Sequence, residues 1–219
     1  MKKRTTEILI WLLAVLPVVL TTALYTHLPA QVPVHWDLDG TVRYGGKGTI
    51  WLLALLPVVV TALMRVLPKV DPRRKNYSRF QGYYDGAVLA MVLFFLGVFV
   101  VTLIESLRPG TVSVGRTVTV GVGLLFLFLG NMMPKVKNNF FLGFRTPWTL
   151  SDPDVWNRTH RLGGILFFVL GVVLVPCGAF LPEPVTFVIL LAGALATGAI
   201  PMIFSYIWYR QTVDKGRER

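Results

Sequence analysis

Six charge-free, mostly apolar runs divide the chain, at residues 8–26, 48–64, 86–104, 117–134, 162–182 and 184–209. Each approaches the roughly 20 residues with which a helix crosses ~30 Å of hydrocarbon. Lipid cannot satisfy backbone N–H and C=O groups, so runs of this kind fold as helices, and the alternating pattern of a barrel strand is absent. The pattern predicts an all-α polytopic membrane protein with six transmembrane helices. The first run begins as a signal peptide does, but its length and the five similar runs behind it favour an uncleaved helix. Pro182-Glu183-Pro184 leaves room only for a tight antiparallel hairpin between the last two helices.

Charge sets the orientation. Seventeen of the 22 basic residues fall before the first run, in the second and fourth connectors and in the tail. Only Arg43, Lys47, Arg108 and Arg116 lie on the opposite side, with Arg65 at the end of the second run. The positive-inside rule then predicts both termini in the cytoplasm. The net charge of +11 belongs to these connectors, which points to lipid headgroups and away from nucleic acid. The single cysteine, Cys177, lies in an apolar run and reads as a small buried hydrophobe. We divide the chain into a two-helix hairpin with its outer loop, residues 1–68, and a four-helix unit, residues 69–219, with a cytoplasmic connector at 134–161.

Residues 10–21 (IWLLAVLPVVLT) and 50–61 (IWLLALLPVVVT) agree at 10 of 12 positions. The copies run oppositely through the membrane, and Pro17 and Pro57 are expected to kink them. Paired broken helices around a central site would suit a transporter. A local duplication in a leucine-rich vocabulary explains the pattern as well. Charge within the runs is nearly absent, with Arg65 free to snorkel, which counts against ion-coupled transport.

Two connectors carry chemistry. The first outer connector holds His35, Trp36, Asp37, Asp39 and Gly40, with Asp39-Gly40 a turn signal. An imidazole beside carboxylates suits loop structure, recognition of an external ligand or a metal site; neither a metal nor a cofactor is expected. The fourth connector is the longest polar stretch and contains Asn131, Asn139, Gly143, Arg145, Thr146, Trp148, Trp156 and His160. A helix is expected from Thr149 onward, with Ser151 capping it and Asp152-Pro153-Asp154 in its first turn, running as one rod into the fifth span. Trp156, His160 and Gly163 then share a face. Two readings stay open. Arg145, Asn139 and Trp148 face His160 across a cleft where Arg145 grips an anion, or the stretch is a structural latch.

The stretch GNMMPKVKNNFFLGFRTPWTLSDPDVWNRTHRLGG resembles the signature of the SdpI family of bacterial membrane immunity proteins. Gly130, Asn131, Met133, Pro134, Lys135, Lys137, Asn139, Gly143, Arg145, Thr146, Pro147, Trp148, Trp156, Thr159, His160 and Gly163 match it, while Asn138 stands where that family often has proline. Pro33-Val34-His35-Trp36, ending at Gly40, is similar to the small N-terminal membrane domain joined to that signature. The resemblance implies a multi-pass protein of the bacterial cell membrane that protects against a secreted peptide toxin. It also implies a signalling role through a cytoplasmic repressor-type partner, and contact with membrane lipid but not nucleic acid. Enzymatic activity is not expected. The alternatives are a membrane-embedded enzyme on a lipid or peptide, with His160 as acid–base, and a transporter or channel.

Overall fold

The computed structural model describes residues 3–37 and 41–217. Helix α1 (Lys3–Leu24) leads into a hairpin of strands β1 (Gln31–Trp36) and β2 (Val42–Gly46). Helices α2 (Ile50–Val70), α3 (Gln81–Leu107) and α4 (Val114–Met132) follow, then short α5 (Pro147–Ser151), α6 (Pro153–Phe180) and α7 (Glu183–Arg217). The six long helices have the length and apolarity to cross a membrane, so the chain is an all-α polytopic membrane protein. Six crossings return the chain to the end where it started. That end carries the basic connectors and is called the basic end below; the β-hairpin lies at the other.

The repeat has a packing role. Its buried positions are Ile10, Ala14, Pro17 and Thr21 in α1, and Ile50, Ala54, Pro57 and Thr61 in α2. Both sets follow i, i+4, i+7, i+11, the spacing of one helix face. Ile10 and Ala14 join a cluster with Tyr84, Val88 and Val92 near the start of α3. Ile50 and Ala54 join a second with Phe99 and Leu103 near its end. One duplicated stripe therefore covers both halves of α3, because α1 and α2 run in opposite directions.

Arg65 does not snorkel. Its guanidinium lies 2.7 Å from Glu7 of α1 and 2.6 Å from Asp85 of α3, with only 17% of its side chain exposed. The Trp11 indole donates to Glu7 at 3.0 Å, and the Gln81 amide to Asp85 at 3.1 Å. Lipid offers no counter-charge at this depth, so the cation takes carboxylates from both neighbouring helices. A lone Glu in the first turns of α1 gave no sign of this pairing, because the partners are distant in the chain.

Helices α4 and α6 meet along glycines. A Cβ on Gly130 would run into the Gly164 carbonyl and the Phe168 backbone, and one on Gly171 would lie 2.6 Å from the Gly123 carbonyl. Gly123 and Gly130 on α4, and Gly164, Gly171 and Gly178 on α6, each recur every seven residues. Small residues let backbones approach closely, which drives helix pairing where lipid removes any hydrophobic incentive.

The start of the fifth span departs from the single rod expected. Thr146 caps the short α5, and Asp152, extended at φ −135° and ψ 121°, breaks the helix before α6. The Asp152 carboxylate accepts from the Asp154 and Val155 amides at 2.7 and 3.2 Å. Two strong caps six residues apart make two helices where propensity suggests one. Ser151 turns back onto the Pro147 carbonyl instead of capping.

Gly171→Leu is expected to destabilise the detergent-solubilised protein by at least roughly 2 kcal/mol through overpacking. Gly97→Ala on α3, where a Cβ meets nothing within 4 Å, should leave the melting midpoint unchanged or raise it. Equal melting of both variants would contradict the glycine seam.

Candidate functional site

The connector at the basic end folds back on the bundle, so its backbone groups need partners. Asn139 supplies most of them. Fully buried, its carbonyl oxygen accepts from the Phe141 and Leu142 amides at 2.8 and 2.6 Å, and from the Tyr77 hydroxyl at 3.3 Å. Its NH2 donates to the Lys137 and Leu142 carbonyls at 2.9 and 3.1 Å. No lone pair or proton is left for a ligand.

Asp71, between α2 and α3, holds the connector from the other side. Its carboxylate accepts from the Phe140 amide at 2.9 Å, the Arg73 amide at 2.6 Å and the Tyr77 hydroxyl at 2.8 Å. Burial, reinforced by this carboxylate, pushes the Tyr77 phenol far above its ordinary pKa, so it stays a neutral donor. Arg73 donates to the Asn138 side chain and, at 2.9 Å, to the Leu150 carbonyl. Asn76 donates to the Asn138 carbonyl at 2.7 Å. Thus Asn138, off the family pattern, has its own structural role.

His160 closes the third side. Its Nε2 accepts from the Phe144 amide at 3.1 Å, and its Nδ1 lies 2.9 Å from the Trp156 carbonyl. This pairing requires the neutral tautomer with the proton on Nδ1. The ring stacks on Trp156 at 3.9 Å between centroids and 19° between planes, and the Trp156 indole donates to the Val136 carbonyl at 2.9 Å. Gly143 has φ +96°, and a Cβ there would strike His160 Nε2. Its identity is thus required twice.

Thr146 and Thr149 form a reciprocal capping box, each hydroxyl accepting from the other's amide at 3.1 and 2.9 Å. The Thr146 hydroxyl also reaches Ser205 of α7 at 3.0 Å, and Trp148 packs on Tyr206 with centroids 5.0 Å apart. Arg145 is exposed and donates to the Phe140 carbonyl at 2.8 Å. Asn131 is exposed on α4, outside this cluster. The arrangement is a closed latch joining the α2–α3 connector, α6 and α7. Asn139, Gly143, Thr146, Trp156 and His160 come together in it, His160 fully buried and Arg145 exposed at the surface.

At the hairpin end, Arg43 grips Asp37 in bidentate fashion at 2.8 and 3.0 Å, and His35 Nε2 stands 3.2 Å from the same carboxylate. The Arg43 hydrogen bonds hold the half-buried Asp37 carboxyl down to about 2. Trp36 ends β1 half-buried. Asp39 and Gly40 lie outside the described residues. Among the described residues no three His, Cys, Asp or Glu side chains converge as metal ligands. The strands escaped the sequence reading because a bulge between Pro33 and His35 breaks their alternation. A crevice of about 770 Å³, lined by His27, Gln31, Tyr44 and Ser106 among others, separates the hairpin from the end of α3.

Asn139→Ala, which strands two backbone amides, is expected to cost roughly 3 kcal/mol and to expose the 137–152 segment to protease. Arg145→Gln should leave both melting and proteolysis near wild type. The reverse ranking would contradict the latch.

Residues 135–205 match the model of the SdpI/YfhL protein family, and residues 12–59 match a domain of unknown function, DUF1648. The chain is 24% identical to the immunity protein SdpI of Bacillus subtilis over 211 residues, 96% of this chain and 98% of that protein. No solved structure matches the chain. The latch residues from Asn139 to His160 fall inside the first match, and α1 from Leu12 onward, the β-hairpin and the first turns of α2 fall inside the second. The chain is thus a multi-pass protein of the bacterial cell membrane whose 135–205 segment matches the model of the SdpI/YfhL protein family.

Proposed function

We propose that this chain is an immunity protein that protects the cell carrying it from a secreted peptide toxin. The observation that carries this reading is its similarity, across nearly its whole length, to a protein named for immunity. Both termini lie in the cytoplasm on this reading, in keeping with the basic residues gathered at their end. The hairpin end then faces the outside, where a toxin arrives.

Residues 1–68 form the unit that meets the toxin, at His35, Trp36, Asp37, Asp39 and Gly40. The His35–Asp37–Arg43 cluster offers both signs of charge beside the half-exposed Val34 and Tyr44. Residues 69–219 form the unit that relays occupancy to a cytoplasmic repressor-type protein, with exposed Arg145 and its basic neighbours as the contact. An acidic partner suits that face.

An enzyme at the latch has little in its favour. Both ring nitrogens of His160 are engaged, and the Thr146 and Ser151 hydroxyls bond structural partners. A general base needs a free lone pair within reach of its substrate.

The test is survival of a sensitive bacterium expressing the protein at matched membrane levels under challenge with secreted peptide toxins. Wild type should raise the inhibitory toxin concentration at least tenfold. His35→Ala with Trp36→Ala should remove most of that protection, whereas Arg145→Ala should preserve survival and abolish only a reporter of the relay. Absence of wild-type protection against every toxin tested would contradict the reading.

A further inference from the structure

An apolar groove of about 670 Å³ lies between α3 and α4, walled by Leu93, Phe94 and Gly97 of α3 and by Gly121, Leu124 and Phe128 of α4. Its α4 wall runs from Thr117 to Phe128. At 1.5 Å per residue that is about 17 Å, about half of the ~30 Å hydrocarbon core, centred on the middle of α4.

Toward the basic end the groove's α4 wall stops at Phe128, seven residues or roughly 10 Å before Lys135. On α4, exposed Leu124, Phe128 and Asn131 follow i, i+4, i+7, and Lys135 continues the line just past the helix. On α6, exposed Arg161, Ile165 and Phe168 repeat that spacing. Each line sits one position after the glycines of the α4–α6 seam. In antiparallel right-handed helices, one position onward turns both lines to the same flank, so the two polar ends meet. Pro134 lies against Gly164, and the Trp156 indole holds the Val136 carbonyl. These contacts fix the turn carrying Lys135 and Lys137 beside the first turns of α6.

Among the described residues, no ion pair includes Lys135, Lys137 or Arg161, although the exposed Asp154 stands in the first turn of α6, seven residues before Arg161. Asp71 and Asp152 are taken up by backbone amides, and Glu7 and Asp85 by Arg65. Cations at headgroup depth attract anionic lipid, and an apolar groove farther along α4 suits an acyl chain. An acidic protein would satisfy the charge and leave the groove unexplained.

We infer that this flank binds an anionic phospholipid of the leaflet at the basic end, its phosphate on Lys135, Lys137 and Arg161 and one acyl chain in the α3–α4 groove. The site adjoins the latch, whose Asn139 and Trp156 hold the Lys137 and Val136 carbonyls, and lies apart from the hairpin.

The experiment is native mass spectrometry of the full chain equilibrated with equal phosphatidylglycerol and phosphatidylcholine. Wild type should retain phosphatidylglycerol at least fivefold over phosphatidylcholine. Lys135→Gln with Arg161→Gln, both exposed positions, should retain lipid without that preference. Gly97→Phe, which places a ring where the groove is open, should retain little of either lipid. Equal retention of both lipids by wild type, or a preference unchanged in either variant, would overturn the site.

Discussion

Backbone polarity is the constraint on which this structure depends. A loop folded onto a membrane bundle has limited water to satisfy its N–H and C=O groups, and an orphaned amide costs about as much as the hydrogen bonds elsewhere gain. The connector between α4 and α6 meets that demand through three buried side chains. Asn139 carries the Phe141 and Leu142 amides, Asp71 the Phe140 amide, and His160 the Phe144 amide. With those bonds made, Gly143 can approach the imidazole, Phe144 can enter beside Gly163, and the α5 capping box can dock on α7.

The same economy operates within the bundle. Lipid gives apolar helices no reason to prefer one another, so pairing rests on close approach and on satisfied polar groups. The glycine seam supplies close approach between α4 and α6. The Glu7–Arg65–Asp85 cluster ties α1, α2 and α3 at the basic end. The duplicated stripe then lets one short sequence pack twice, once on each half of α3.

Much of this was legible in the chain. Long apolar runs have one solution in lipid, so the six helices follow from composition and length. The family signature likewise marks the connector whose residues build the latch. What the chain concealed depends on distant partners. Asn139 reads as a ligand-binding amide until Tyr77 and the loop's own amides surround it, and Arg65 reads as a snorkelling cation until Glu7 and Asp85 come alongside. The break at Asp152 was hidden for a different reason: Ser151 and Asp152 both have cap chemistry, and only the geometry of α5 decides between them. Arg145 reverses the usual lesson. Its sequence neighbours suit a cleft, yet it stands on the exposed surface and bonds only the Phe140 carbonyl among the hydrogen bonds described.

The most direct test of the latch is hydrogen–deuterium exchange of the full chain in lipid nanodiscs, read over residues 137–152. The account predicts that the Phe140, Phe141, Leu142 and Phe144 amides exchange orders of magnitude more slowly than an open loop, with protection approaching that of the helix ends. Exchange of all four at the intrinsic rate of an unstructured chain would contradict it, and would return the connector to the open cleft that the sequence also allowed.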